Sequence, residues 1–356
     1  MTLKCSVTWK LVTHFCQLAL EEQDIMKPFA YTRTTERGAA IQTVGSDQTA
    51  KFIAGGTNLL DLMKDNVEQP DRLVDISRLE LVGIEERDGG LRLGALARNS
   101  DTANHPLVRQ RYPLISQAIL AGASAQLRNM ATNGGNLMQR TRCYYFYDTV
   151  MPCNKREPGT GCGALEGYNR IHAIFGSSEQ CIATHPSDMC VALAALDAIV
   201  QVEGPQGQRS IPISEFHRLP GDTPQLDTNL KRDELITAID LPATSAVFAP
   251  RSYYLKLRDR TSYAFALVSV AAALDIQRGK IRQARVAMGG VAHKPWRAVE
   301  AEKILTGAPA TAATFQQAAE ATMREARGYE HNRFKIEMGK RAIVQALTTV
   351  VDGGVA

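Results

Sequence analysis

Apolar positions switch between short continuous runs and helical spacing, and glycine or proline marks most of the switches. Lys51-Phe52-Ile53-Ala54 is a short apolar run that predicts a buried strand. Gly55-Gly56-Thr57-Asn58 reads as a turn, and Leu59, Leu60, Leu62 and Met63 then recur at helical spacing. Residues 72–76 and 91–96 predict further strands, with Gly89-Gly90 as the turn between them. Residues 113–120 predict a helix with Pro113 in its first turn. A helix over 189–198, capped by Ser187 or Asp188, places Met189, Ala192, Leu193 and Leu196 on one face. Alternation predicts strands at 198–202 and 235–241, and residues 243–250, flanked by prolines, read as a linker. A second domain follows, with strand or helix segments at 253–257 and 268–276 and a strand at 282–288. Helices at 295–305, 312–327 and 332–349 complete it, and no internal repeat is visible.

Two stretches break this pattern. Residues 122–136 are rich in Gly, Ala, Ser and Asn and carry little large apolar mass. Small residues let backbone approach a ligand closely. An ordinary flexible loop is the alternative, but Gly134-Gly135-Asn136 after Thr132 favours a cofactor cradle. Residues 137–184 have no sustained period and hold Cys143, Cys153, Cys162 and Cys181. So irregular a segment orders poorly by burial alone, and a metal cluster would supply the missing cross-links.

Length and composition narrow the classes. The chain has 356 residues, room for two or three domains, with 44% apolar and 22% charged residues, an ordinary globular balance. A net charge of +4 without a basic run gives nucleic-acid binding little support, and no apolar stretch predicts a membrane span. Residues 1–25 lack a clean apolar core and a small-residue cleavage site, so a signal peptide is rejected. They read as an extension, disordered or a frayed helix, ahead of a natural-looking start at Met26-Lys27-Pro28-Phe29.

The glycine turns carry the first chemistry. Gly55 to Asn58 at a helix mouth offers free N–H groups, the positive end of a helix dipole and a threonine hydroxyl, which together suit phosphate. The signal is weak alone, and it is neither a Walker loop nor a G-x-G-x-x-G fingerprint. The second loop, Thr132 to Asn136, strengthens it, since two loops on one pyrophosphate suit a dinucleotide such as FAD. Asp188 is either a helix cap or an acceptor for a cofactor ribose or amide. Lys256 is either a surface lysine or reaches a flavin edge or phosphate, and Arg258-Asp259-Arg260 reads as a solvated face.

The cysteines carry the second. Nine, eight and eighteen residues separate the clustered four, and no tight Cys-x-x-Cys zinc knuckle occurs. Thiolates on long loops suit a [4Fe–4S] cube, against the alternative of unrelated buried thiols. His172 and His185 lie in the same region as ligand candidates, although solvated loop histidines are commoner. Cys190 reads as core, and Cys5 and Cys16 fall outside the cluster. No Gly-x-Ser-x-Gly or other hydrolytic constellation is evident.

Phe52-Ile53-Ala54-Gly55-Gly56-Thr57-Asn58-Leu59-Leu60 and Ala131-Thr132-Asn133-Gly134-Gly135-Asn136-Leu137 resemble the two FAD loops of the flavoprotein subunits of molybdenum hydroxylases, the xanthine dehydrogenase family. Pro186-Ser187-Asp188-Met189 resembles a third FAD element of that family, separated here from the second loop by the cysteine segment. Lys256-Leu257-Arg258, Tyr263-Ala264 and Gly289-Gly290-Val291-Ala292-His293-Lys294-Pro295-Trp296-Arg297 resemble its C-terminal domain. Arg140-Thr141-Arg142-Cys143-Tyr144-Tyr145-Phe146-Tyr147-Asp148 and Pro152-Cys153-Asn154-Lys155-Arg156 resemble the FAD-binding subunits of bacterial periplasmic aldehyde oxidoreductases, which carry an extra [4Fe–4S] cluster. The likeness runs from about Met26 to Val350; residues 1–25 have no counterpart, and Asn133 stands where the family usually has an apolar residue.

The resemblance implies an α+β chain: an FAD-binding domain over 26–245 of the PCMH/vanillyl-alcohol-oxidase type in two α/β subdomains, and a CO-dehydrogenase-flavoprotein-like domain over 251–352. It implies a [4Fe–4S] insertion at 138–184 held by Cys143, Cys153, Cys162 and Cys181. It implies FAD contacts at Phe52, Ile53, Ala54, Gly55, Gly56, Thr57, Asn58, Leu59, Gly122, Ala123, Thr132, Gly135, Asn136, Asp188, Ile236 and Lys256, with no catalytic acid or base. Asp188 is then a cofactor contact as well as a cap. The implied partners are a small [2Fe–2S] subunit, a large molybdenum-cofactor subunit and an external electron acceptor. The implied location is the periplasm, reached by co-export with a signal-bearing partner, with the cytoplasm as the alternative. Two rival readings are a stand-alone FAD oxidoreductase and a structural metal-binding scaffold; the two loops argue against the scaffold.

Overall fold

The computed structural model describes residues 26–353. The expected extension at 1–25, with Cys5 and Cys16, lies outside the described residues.

Three sheets organise the chain. The first is parallel, with β1 (Ala30–Arg33) and β2 (Ala50–Ile53) flanking β3 (Arg72–Asp75). Parallel neighbours need a crossover, and the helices Arg37–Ser46 and Leu59–Lys64 supply it. The second is a five-stranded antiparallel sheet in the order β4 (Ile84–Arg87), β5 (Gly90–Gly94), β8 (Leu235–Leu241), β6 (Ile199–Gly204), β7 (Gly207–Pro212). The third is antiparallel, with β9 (Ser252–Leu257), β10 (Val268–Gln277), β11 (Lys280–Gly289) and the two-residue β12 (Trp296–Arg297) in sequence order. The helices Val299–Leu305, Ala312–Met323 and Phe334–Val351 cover one face of it. Mixed helix and sheet in this arrangement is the expected α+β architecture.

The helix Asp188–Ala195 explains how the second and third sheets meet. All eight of its residues are buried, so it is apolar on every side except at its N-terminus. A helix apolar all round needs cover all round. It receives that cover from the helix Pro113–Ala121, from the five-stranded sheet, and from Ala271, Ala273 and Ala287 of β10 and β11. The alanines matter because small side chains let the helix lie close to the sheet. Strand β10 is in turn buried on both faces from Val268 to Leu274. Asp188, the charged first residue of this helix, therefore stands at the junction of the two halves.

Several expectations need correction. Residues 243–250 are not a loose linker: Ala243–Phe248 is a 3-10 helix with Ser245 and Phe248 buried. Gly89-Gly90 closes the β4–β5 hairpin, not a turn between residues 72–76 and 91–96. The small-residue stretch holds two short helices, Ala125–Arg128 and Asn133–Leu137, capped by the Ser124 and Thr132 hydroxyls. The expected 295–305 helix starts only at Val299, because Trp296 and Arg297 pair with β11.

Candidate flavin loops and cysteine cavity

The first glycine loop lies between β2 and the helix Leu59–Lys64. Gly56 has φ +70, a conformation that favours glycine. Among the described residues, the N–H groups of Gly55, Gly56, Thr57 and Asn58 have no protein acceptor. Four uncommitted donors in one half-exposed loop form a nest for an anion. The second loop touches the first through backbone: a Cβ at Gly55 would fall 2.1 Å from Met130 O. Asn58 Oδ1 also accepts from Arg140 N at 2.8 Å.

The second loop is built differently. Its N–H groups are already used: Asn133 donates to Ala97 O, Gly134 to Ala95 O, Gly135 to Thr132 Oγ1 and Asn136 to Thr132 O. Only Thr132 Oγ1 lies near a Cβ built on Gly135, at 3.0 Å, so that face is otherwise open. The second loop thus offers an open face without free donors, and the free donors lie on the first. Asn133, the expected departure from the resembled pattern, is wholly buried and satisfied by Thr102 Oγ1, Asn99 Nδ2 and Gly94 O. Its tolerance rests on those partners. Ile236 of β8 lies under the same turn, 3.7 Å from where a Gly134 Cβ would be.

Ser187 caps the Asp188–Ala195 helix by accepting from Cys190 N, and its hydroxyl donates to Asn136 Oδ1 at 2.6 Å. Asp188 is left free for a different set of contacts. Its carboxylate accepts from Tyr254 Oη and Lys256 Nζ, each at 2.7 Å. Lys256 is therefore no surface lysine: its side chain is 4% exposed, and it also donates to Ala121 O. Arg258 is half-buried against the same carbonyl, which takes it out of the expected solvated run. Gly122 lets this cluster close, since its Cβ would meet Asp188 Oδ2 at 3.0 Å. Ala123 follows at φ +52, a left-handed conformation costing a non-glycine residue about 1 kcal/mol. The first loop thus adjoins the second at Gly55 and Met130, and the second reaches the Asp188, Lys256 and Gly122 cluster through the Ser187–Asn136 hydrogen bond.

Cys143, Cys153, Cys162 and Cys181 line one cavity, together with Tyr145 and Lys155, and none is in a disulfide. Cys190 lies elsewhere, in the core beneath the five-stranded sheet. Bridges Cys153↔Cys162 and Ser178↔Cys181 fold the irregular segment back on itself. Arg156 donates to the carbonyls of Tyr145 (2.8 Å) and Phe146 (2.9 Å), bracing the turn around the cavity. Burial pushes the thiol of Cys143 up to about 12 and that of Cys181 up to about 11, so neither ionises unaided at neutral pH. A bound metal would reverse this, because coordination stabilises the thiolate.

Among the described residues, the one metal-competent trio whose donor atoms all lie within 4.8 Å of one another is His185, Cys190 and His217. No three of the clustered cysteines gather that tightly. A single tetrahedral zinc with bonds of ~2.3 Å would draw its sulfurs to within about 3.8 Å of each other. A cube with one thiolate per iron would hold its sulfurs further apart, and four thiols around one cavity are a donor set of the kind it takes.

The cysteine cavity shares a small core with Leu62, from the helix that starts at the first glycine loop. Arg140 fixes this contact from a half-buried network, reaching Glu68 at 2.5 Å and Asp227 at 2.8 Å. Asp227 also holds Lys155 at 2.6 Å. Burial alone would raise the Asp227 carboxyl, but Lys155 and Arg140 hold it well below the usual carboxylate range. On its other side the segment docks on the C-terminal sheet: Ile174 and Phe175 both donate to Val291 O, and Phe175 stacks on Trp296 at 4.8 Å.

The histidines depart from expectation. His172 and His185 are buried, not solvated. His185 stacks against His217, ring centroids 4.2 Å apart, and His293 is buried near Asp227. Burial pushes His217 and His293 down to about 4 and His185 well below its usual value. Sequence reading missed His217 and His293, because nothing local marks a histidine that tertiary packing will enclose.

Comparisons with known proteins agree with this geometry. Residues 27–244 match the FAD binding domain in molybdopterin dehydrogenase, and residues 252–348 match the CO dehydrogenase flavoprotein C-terminal domain. The aldehyde oxidoreductase FAD-binding subunit PaoB of Escherichia coli is 51% identical over 325 residues, covering 90% of this chain and 98% of PaoB. The glyceraldehyde dehydrogenase medium chain of Sulfolobus acidocaldarius is 29% identical, covering 78% of this chain and 81% of that protein. Among solved structures, carbon monoxide dehydrogenase from Hydrogenophaga pseudoflava superposes with TM-score 0.72 at 26% identity, covering 93% of this chain and 100% of the matched chain. The reconstituted enzyme from Oligotropha carboxidovorans shares the fold, with TM-score 0.74 at 22% identity and the same coverage. A match to both domain families across nearly the whole described chain makes this protein a member of the FAD-binding medium subunits of the molybdopterin-dependent dehydrogenases.

Proposed function

We propose that this chain is the FAD- and [4Fe–4S]-binding electron-transfer subunit of a heterotrimeric molybdenum-dependent aldehyde oxidoreductase. The observation that supports this reading is that the cysteine cavity adjoins the first glycine loop. Four cysteines share a cavity that packs, through Leu62, on the helix opening at the first glycine loop. Gly55, Gly56, Thr57 and Asn58 hold the pyrophosphate through backbone N–H groups, and Gly135 and Thr132 form the wall opposite. Asp188 and Lys256, with Gly122 and Ala123, orient the rest of the cofactor. Cys143, Cys153, Cys162 and Cys181 ligate the cluster, and Lys155 balances part of their negative charge. FAD supplies one-electron acceptance with two-electron release, which suits a link between clusters and an external acceptor.

The aldehyde site and the [2Fe–2S] clusters belong to partner subunits, a large one with molybdenum cofactor and a small one. No helix among the described residues is long and apolar enough to cross a membrane. We place the complex in the periplasm by co-export with a signal-bearing partner. The test is reduction of the anaerobically purified chain. It should be bleached by dithionite and inert to aldehyde until co-expressed with both partners. Aldehyde oxidation by the chain alone, without molybdenum, would contradict the assignment.

A further inference from the structure

Cys143 has a polar neighbour outside the cavity. His172 Nε2 lies 3.1 Å from Cys143 Sγ, yet His172 does not line the space that the four cysteines share. The imidazole therefore meets the Cys143 sulfur while standing apart from the residues that line that space.

Its position is enforced from the C-terminal domain. His172 N donates to Asn169 O at 3.1 Å. The His172 carbonyl accepts from Lys335 Nζ at 2.8 Å and Asn332 Nδ2 at 3.2 Å, and both of those residues are completely buried. Lys335 Nζ also reaches Gly290 O at 2.5 Å, tying the segment to the end of β11. The Tyr145 ring, itself lining the cavity, lies 6.3 Å from the imidazole. A fully buried lysine spent on backbone carbonyls suggests that this placement is specific.

The proton inventory gives the direction of the bond. A ligating thiolate only accepts, so the imidazole nitrogen that faces it, Nε2, carries the proton when the cysteine is metal-bound. Nδ1 is then a bare lone pair, in keeping with its lack of a partner. Cys181 Sγ receives a backbone N–H, from Ala183 at 3.4 Å. Among the described residues, no other side-chain donor contacts any of the four sulfurs.

We propose that His172 is a positioning residue that donates Nε2–H to the Cys143 sulfur of the bound cluster and raises the cluster's reduction potential. The inference rests on the cluster assignment made above. Reduction adds negative charge that spreads onto the ligand sulfurs, and a donor aimed at one sulfur stabilises the reduced form more than the oxidised form.

The test is an EPR-monitored redox titration of the full-length, anaerobically purified holoprotein. His172→Leu removes the donor and should lower the cluster midpoint potential with iron content unchanged. His172→Gln keeps an N–H at similar reach and should stay near wild type. Pulsed EPR of wild type, with and without isotopically labelled histidine, should show a weak nitrogen coupling through the hydrogen bond, whether or not the Leu variant loads iron. An unchanged potential in fully loaded His172→Leu, no histidine coupling in wild type, or a coupling as strong as that of a direct ligand would each overturn the proposal. Wild-type protein without iron would instead overturn the cluster assignment, and metal analysis tells these failures apart.

Discussion

Lys256 Nζ lies 2.7 Å from Asp188 Oδ2, with side chains 4% and 8% exposed, so one buried ion pair ties β9 of the C-terminal sheet to the first turn of the Asp188–Ala195 helix. Both residues belong to the expected flavin surface, and Gly122 backs onto the carboxylate. Removing one partner of such a pair leaves a buried uncompensated charge, typically worth about 3–5 kcal/mol. Lys256→Met should therefore lower stability by about that amount and yield flavin-poor protein. Denaturant melts with flavin quantification check both, and a stable, fully loaded variant would show that the pair is dispensable.

The two glycine loops should fail in different ways. Gly135→Val projects into space bounded only by Thr132 Oγ1, so the protein should fold and lose flavin. Gly55→Ala drives a methyl onto Met130 O and should cost stability as well. Gly56→Val is not a clean probe, because φ is +70 there and the new side chain would strike Leu60. Comparing flavin content and melting temperature for the first two separates cofactor contact from loop packing.

Asp227 anchors Arg140 and Lys155 between the cysteine cavity and the first loop. Asp227→Asn keeps the shape but leaves Lys155, with a side chain 1% exposed, without its counter-charge. We expect a loss of about 3–5 kcal/mol and lower retention of bound iron. An iron content and denaturation midpoint equal to wild type would contradict the bracing role.

Acid sensitivity follows from the buried histidines. His217 and His293 are pushed down to about 4, below the ordinary unfolded value of ~6.5. The unfolded chain therefore binds protons first as pH falls. The stability these groups contribute is complete above pH ~6.5 and is lost progressively as pH falls toward about 4, on the order of 1–3 kcal/mol for each. Denaturant midpoints measured from pH 7.5 down to 4.5 should fall, and His217→Gln should flatten the slope.

What the sequence revealed depended on where each signal is generated. Strand β8 was legible to the residue because Leu235, Ile236, Ala238, Ile239 and Leu241 make a mostly apolar run that suits the buried centre of the sheet, although its burial does not alternate. Strands β4 and β7 were not, since Glu85, Glu86 and Arg87 or Gln208, Arg209 and Ser210 leave an edge strand with little apolar pattern. The cysteine spacing exposed the cavity, because clustering of rare residues survives in one dimension. The partners of those residues did not show: Lys155–Asp227 spans 72 positions and Lys335–His172 spans 163, and only the folded chain brings them together. The burial of His172, His185, His217 and His293 is likewise a product of packing, not of local pattern.

The central claim is that one FAD and one four-iron cluster occupy neighbouring sites on this chain, and the most direct measurement is iron, sulfide and flavin content of anaerobically purified protein, wild type and with Cys181→Ser. The account predicts about four irons and one flavin per wild-type chain. It predicts a clear loss of iron in the Cys181→Ser variant. A single zinc, or wild-type iron content after the substitution, would contradict it.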